Sequence, residues 1–101
     1  MAIAEVSVVP LGTRTTSVSE YVARAIKVLE QEKDMKYELT AMGTIMEGDL
    51  DRILAVVRKM HEGTFGEGVA RVLTTVKIDD RRDKSQGMKE KVDSLKKKLQ
   101  D

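Results

Sequence analysis

Residues 10–20 of this chain read Pro10-Leu11-Gly12-Thr13-Arg14-Thr15-Thr16-Ser17-Val18-Ser19-Glu20, and they separate an apolar run from an amphipathic one. The apolar run, Ala2 to Val9, is rich in β-branched residues and is typical of a strand that stops at Pro10 and Gly12. In the amphipathic run, apolar side chains recur every three or four residues on one helical face: Val18, Val22, Ile26 and Leu29. The sequence predicts a strand, a polar turn and a helix.

The polar turn supports two interpretations. Ser17 and Glu20 have the spacing of a capping box, which stabilises a helix by about 1 kcal/mol without any ligand. The turn, however, carries more hydroxyl side chains than one cap needs, and it ends where free backbone N–H groups and partial positive charge collect. The turn is therefore also a candidate site for a small polar ligand.

Length and composition limit the classes of protein. At 101 residues the chain has the size of one domain, and without cysteine it has no disulfide, thiolate metal site or cysteine nucleophile. Eighteen basic and 17 acidic residues leave a charge of +1, and aromatic residues are few, which argues against nucleic-acid binding. The sequence has no basic leader and no apolar run of about 18 residues, so we expect a cytoplasmic protein without membrane contact.

The middle of the chain alternates between strand and helix patterns. Lys36 to Ala41 alternates polar and apolar residues, and Thr44 to Glu47 follows it, so the two are expected to form a hairpin. Gly43 is expected to take a positive φ in its turn. Asp49 is the predicted N-cap of a second helix, and Val69 to Ile78 is the predicted fourth strand.

The last part of the chain is highly charged. The run Asp79 to Lys84 is interpreted either as a solvated loop or as an ion-pair network at a subunit contact. Residues 85–101 predict an amphipathic helix that belongs to the same domain and packs in an oligomer, because its apolar stripe is narrow: Met88, Val92, Leu95 and Leu99.

The order strand–helix–strand–strand–helix–strand predicts an α+β fold, the ferredoxin-like βαββαβ arrangement, over residues 1–84, with an additional C-terminal helix. We expect strands 1 and 3 to run parallel, with both helices on one face of the sheet. The turn after strand 1 would then meet Glu47 at one edge, and the hairpin turn around Thr40 to Thr44 would lie at the opposite end. The other face of the sheet mixes polar and apolar residues, so we expect a second subunit to cover it.

The sequence contains no catalytic constellation. It has no Ser-His-Asp or Cys-His arrangement and no P-loop, and its one histidine, His61, suits a helix C-terminus. Glu47, Asp49 and Asp51 are too few and wrongly spaced for a metal loop. A general base at Glu47 would lack a second catalytic group. We expect no catalytic residue, no metal and no cofactor.

The polar turn and Glu47 together would offer hydrogen-bond donors and one acceptor carboxylate. That mixture suits a heterocycle with amino and ring-nitrogen groups, or a small organic cation, better than a bare phosphate. The alternative for Glu47 is a carboxylate that only stabilises a helix dipole, an effect of about 0.3–1 kcal/mol.

A series of short motifs covers most of the chain: Pro10-Leu11-Gly12-Thr13, Ser17-Val18-Ser19-x-Tyr21-Val22-Ala23, Tyr37-x-Leu39-Thr40-x-Met42-Gly43-Thr44, Glu47-Gly48, Arg71-Val72-x-Thr74 and Ile78-Asp79-Asp80-Arg81-Arg82-Asp83-Lys84. Together they resemble the small, single-domain thiamine-binding protein family. The resemblance implies a ferredoxin-like subunit that forms dimers or tetramers, has no catalytic activity, and binds thiamine or its hydroxymethylpyrimidine moiety. The matching residues, which the resemblance implies as ligand-binding, are Thr13, Ser17, Ser19, Thr40, Gly43, Thr44 and Glu47.

The residues and the resemblance lead to one main hypothesis and one alternative. The main hypothesis is a cytoplasmic, non-enzymatic carrier or sensor of vitamin B1, with no nucleic-acid or membrane partner. The alternative is a regulatory or assembly module that acts through oligomerisation and a partner protein.

Overall fold

The computed structural model describes residues 1–14, 19–66, 68–84 and 86–100. Within them the order of elements is β-α-β-β-α-β-α, which confirms the predicted α+β ferredoxin-like fold with an additional C-terminal helix. The elements are β1 (Ala2–Leu11), α1 (Ser19–Glu30), β2 (Lys36–Thr40), β3 (Gly43–Gly48), α2 (Leu50–Thr64), β4 (Arg71–Asp80) and α3 (Met88–Gln100).

The sheet has the strand order β2-β3-β1-β4, and every neighbouring pair is antiparallel. β1 pairs with β3 only from Ala2 to Val6, whereas it pairs with β4 along its whole length. The prediction that strands 1 and 3 run parallel is wrong. The crossover through α1 makes β2 parallel to β1, and the tight hairpin then reverses the chain, so β3 must oppose β1.

The core lies between the sheet and the first two helices. Alternate residues of β1 point to the helices, as the two-residue period of a strand requires. Pro10 is buried in β1, which continues to Leu11. β3 has already ended at this point, and a proline lacks the N–H that a strand with two partners would use. The core side chains include Ala4, Val6, Ala25, Leu29, Met46, Ile53, Val56 and Met60.

Helix α3 begins beside the other face of the sheet and carries no buried residue. On its apolar stripe, Val92, Leu95 and Leu99 are 49%, 58% and 75% exposed. The sheet face beside it is mixed, as predicted, with Glu5 opposite Lys77 and Val9 opposite Leu73. None of the described helices has both the length and the apolar character needed to cross a membrane.

The hairpin between β2 and β3 turns at residues 41–42. Gly43 does not take the positive φ that the sequence predicted. The reason for a glycine at this position is steric, because a Cβ built there would lie 2.6 Å from the carbonyl oxygen of Val6. A side chain at position 43 would therefore separate the hairpin from β1.

Candidate functional site

The predicted site residues lie at two different ends of the sheet. The antiparallel register places Glu47 opposite Ile3, near the start of β1, whereas the turn containing Thr13 follows Leu11 at its end. These two points of β1 are about 27 Å apart at the usual strand rise. Within one protomer the polar turn and Glu47 do not meet, so the predicted common edge is wrong.

Glu47 has a structural environment of its own. Its side chain is 8% exposed, and its Oε2 accepts a hydrogen bond from the backbone N–H of Met88, the first residue of α3, at 2.7 Å. The Nζ of Lys36 lies 3.7 Å from its Oε1. Gly87 allows this approach, because a Cβ there would lie 2.5 Å from the same carboxylate. Glu47 therefore caps α3 and stabilises its dipole, the role that the sequence analysis weighed as an alternative.

The hairpin turn lies at the end of the sheet towards which β1 runs. Thr44 pairs with Val6, and β1 continues from there past the turn. The prediction that this turn lies opposite the end of β1 is therefore also wrong. The hairpin, β1 and α1 enclose a cavity of about 210 Å³, which we call the hairpin cavity. Val6 and Val8 line it from the sheet, Val22 and Ile26 from α1, and Met60 from α2.

Three of the predicted ligand residues, Thr40, Gly43 and Thr44, line the hairpin cavity. The Oγ1 of Thr40 donates a hydrogen bond to the carbonyl oxygen of Gly43 at 2.9 Å and accepts one from the N–H of Met42 at 3.2 Å. These two bonds fix the turn, so Thr40 holds the wall of the cavity.

Thr44 differs from the other buried threonine of the core. Both are almost fully buried, at 4% exposure for Thr44 and none for Thr64. Thr64 donates its hydroxyl to the carbonyl oxygen of Met60 at 2.8 Å. The hydroxyl of Thr44 makes no hydrogen bond to a described residue, yet none of the described buried side-chain polar atoms lacks a partner, so this hydroxyl is itself reached by solvent. Because Thr44 lines the cavity, a molecule bound there can take the place of solvent as its hydrogen-bond partner.

The other predicted residues are on or near the polar turn. Thr13 is half-buried and follows β1, and Ser19 is the first residue of α1. Ser17 lies outside the described residues, and so does the Val18 of the predicted helical stripe; the capping box of Ser17 and Glu20 stays a prediction.

The contribution of β1 and α1 to the cavity was not predicted from the sequence. Ser7 also borders the cavity, although the two-residue period of β1 puts its side chain on the opposite face of the sheet from Val6 and Val8. The residue pattern of β1 alone gives no signal for this position. Val22 and Ile26 were predicted as core, but they are only half-buried because the cavity lies beside them.

The hairpin cavity combines aliphatic side chains with hydroxyls. No lining residue described by the structure has a titratable side chain. Hydroxyls can both donate and accept, so they can match a ring nitrogen and an amino group at once. The volume is below the range of about 300–1,000 Å³ that is usual for drug-sized ligands. The cavity therefore suits a single small ring.

His61 lies in the last turn of α2, away from this cavity. Its Nδ1 is 2.6 Å from the hydroxyl of Thr74, and its ring packs edge-on against Phe65. In the part of the chain that the structure describes, no cluster of three or more histidine or carboxylate side chains is arranged to hold a metal ion. His61 thus joins α2 to β4 and has no carboxylate partner there.

Comparison with known proteins gives one consistent family. The sequence model of the family described as thiamine-binding protein matches residues 4–96. The UPF0045 protein YqgV of Bacillus subtilis is 48% identical over 99% of both chains, and a UPF0045 protein of Methanothermobacter thermautotrophicus is 46% identical over 98% of this chain and all of its own. The crystal structure of the hypothetical protein MJ1052 from Methanocaldococcus jannaschii matches with a TM-score of 0.85 and 42% identity, over 94% of this chain and 95% of that one.

Proposed function

Because the chain belongs to the thiamine-binding protein family, we propose that it is a cytoplasmic, non-enzymatic binding protein for thiamine or its hydroxymethylpyrimidine moiety. It acts as a carrier or sensor of the vitamin. The observation that carries the proposal is Thr44, which lines the hairpin cavity at 4% exposure and makes no side-chain hydrogen bond to a described residue, so that its hydroxyl is open to a ligand.

The pyrimidine ring is the part of thiamine that fits the cavity. Aliphatic side chains such as Val8 and Val22 pack against the two faces of a flat ring, while hydroxyls meet its polar edge. A cavity of about 210 Å³ takes one ring, so the thiazolium ring of thiamine would lie outside it. We expect the free pyrimidine moiety to bind at least as well as thiamine within one protomer.

The proposed ligand-binding residues are Thr44 and the polar-turn residues Thr13, Ser17 and Ser19. Thr40 and Gly43 act by shaping the hairpin. Glu47 reaches such a site only if a second protomer brings it there, because its own protomer holds it at the other end of the sheet.

Thr44→Val tests the role of the hydroxyl. We expect the affinity for hydroxymethylpyrimidine, measured by titration calorimetry, to fall by about two- to tenfold, the worth of one neutral hydrogen bond. The free energy of unfolding should stay the same or rise, because an isosteric methyl group replaces a hydroxyl without a protein partner.

The matched control is Thr64→Val, which removes a hydrogen bond to the backbone carbonyl of Met60 from a residue that does not itself line the cavity. It should lower the stability by about 0.5–1.5 kcal/mol and leave the ligand affinity unchanged. The proposal fails if the wild-type protein binds neither thiamine nor hydroxymethylpyrimidine at millimolar concentration, or if Thr44→Val binds the ligand like wild type.

The exposed stripe of α3 favours a second role, in assembly. We propose that the chain forms a homo-oligomer, a dimer or tetramer, through α3 and the open face of the sheet, where Leu73 is 54% exposed. A narrow apolar stripe on a polar helix is the pattern of a helix that packs on another helix. Under the alternative function, a regulatory or assembly module, a partner protein would occupy the same stripe.

Val92→Gln combined with Leu99→Gln is expected to shift the protein towards the monomer in sedimentation velocity. Both side chains are exposed in the protomer, at 49% and 75%, so the fold should persist. Lys96→Gln with Lys97→Gln is the control on the same helix, and it should sediment like wild type. Hydroxymethylpyrimidine affinity that is retained in the Val92 and Leu99 double variant supports the binding protein. Sedimentation identical to wild type would contradict assembly through α3.

A further inference from the structure

A second cavity, of about 630 Å³, lies between α3 and the end of β4, and we call it the basic cleft. Ile3 lines it, whereas Ser7 lines the hairpin cavity, so the two are about 14 Å apart along β1. The cleft therefore forms a separate site in the same protomer. Its volume is within the usual range for small-molecule sites.

The lining of the basic cleft is strongly positive. It contains Arg81, Lys84, Lys91 and Lys98 against a single carboxylate, Asp79. The whole chain has a charge of only +1, so this excess reflects local clustering.

Of these four cations, only Lys91 and Arg81 have a carboxylate partner among the described residues. Lys91 pairs with Asp79, and Arg81 makes two hydrogen bonds to Asp83, at 2.6 and 3.0 Å. Lys84 and Lys98 form no ion pair with any residue that the structure describes. Two cations are thus available to a ligand at once.

The guanidinium of Arg81 already binds the carboxylate of Asp83, so a ligand has to compete with Asp83 for it. Its hydrogen bonds keep the pKa of the Asp83 carboxyl below its ordinary value, so Asp83 is ionised at neutral pH and occupies the guanidinium. Both side chains are largely exposed, and such surface pairs are weak. A phosphate group can therefore displace Asp83, since a guanidinium binds a phosphate through two parallel hydrogen bonds.

The rest of the lining fits the remainder of a small organic molecule. Gln86 and Ser94 offer amide and hydroxyl groups, and Leu95 and Ile3 offer apolar surface. We propose that the juxtaposition of Arg81, Lys84 and Lys98 with this mixed surface forms a site for a small organic phosphate. This site is independent of the proposed thiamine site.

Calorimetric titration tests the proposal with two probes, phenyl phosphate and inorganic phosphate. Phenyl phosphate should bind more tightly, because Leu95 and Ile3 contact its ring. Arg81→Gln combined with Lys84→Gln should weaken phenyl phosphate binding by about tenfold or more. Lys89→Gln with Lys97→Gln removes the same charge from exposed positions of α3 that do not line the cleft, and it should change the affinity by less than about twofold.

Asp83→Asn provides a gain of affinity that a damaged fold would not produce. Freeing Arg81 should strengthen phenyl phosphate binding by about two- to fivefold, whereas Asp93→Asn, with the same charge change elsewhere, should have little effect. Equal effects in test and control variants, or no binding by the wild type at millimolar concentration, would overturn the proposal. Hydroxymethylpyrimidine titrations of the same variants should match wild type, so the two sites are judged separately.

Discussion

Glu47→Ala is expected to destabilise the protein by about 1.5–3 kcal/mol, the worth of a hydrogen bond to a charged group. The carboxylate is 8% exposed and accepts from the N–H of Met88, so its loss leaves the first turn of α3 without its cap. Lys36 also loses its partner. We expect α3 to detach from the sheet, since its described contacts beyond this cap are few and exposed: the Lys91–Asp79 pair is one of them.

Urea unfolding and limited trypsin digestion measure these effects, because α3 is rich in lysine. Glu38→Ala is the matched control, an exposed glutamate of the same hairpin whose loss should be nearly neutral. Glu47→Gln should fall between wild type and alanine, since it keeps an acceptor but loses the charge. If Glu47→Ala left α3 as resistant to trypsin as in wild type but abolished hydroxymethylpyrimidine binding, Glu47 would be a ligand-binding residue and not the cap of α3.

Gly43→Ala is expected to destabilise the protein by about 1–3 kcal/mol, the usual effect of forcing an extra carbon into a packed position. The new Cβ would lie 2.6 Å from the carbonyl oxygen of Val6, which is backbone and cannot rotate away. The hairpin must then move away from β1 to relieve this contact. Because Thr44 is the next residue, we also expect hydroxymethylpyrimidine affinity to fall.

Thermal unfolding measures the change, at roughly 4–8 °C per kcal/mol for a domain of this size. Gly66→Ala is the control, because a Cβ there meets only the guanidinium of Arg24, the mobile end of a side chain. It should unfold close to wild type. A Gly43→Ala protein as stable as the control would show that the hairpin tolerates a side chain and that the close approach to β1 is not required.

The elements of the fold were predictable from the sequence because each depends on local periodicity. The alternation in β2 and the helical spacing from Val22 to Leu29 correspond to observed elements. The direction of β3 relative to β1 depends on the whole path of the chain. Applying the parallel crossover rule to strands 1 and 3 overlooked the reversal at the hairpin, and this single error placed Glu47 at the wrong end of the sheet.

The site was predictable only in part for the same reason. Thr40, Gly43 and Thr44 were identified from motifs and do line one cavity, but the cavity walls come from residues distant in sequence. Ser7 lies at the cavity because β1 extends beyond its pairing with β3. Val22 lies there because it belongs to α1, which packs beside β1. The capping role of Glu47 depends on α3, which begins 41 residues later in the chain.

The central claim is that the ligand occupies the hairpin cavity and not the surroundings of Glu47. Amide chemical-shift mapping of the labelled protein during titration with hydroxymethylpyrimidine tests it most directly. We predict that the largest shifts fall on Ser7, Val22 and Thr44, with Glu47 and Met88 unchanged. Shifts concentrated at Glu47 and Met88, with Thr44 unaffected, would contradict the account.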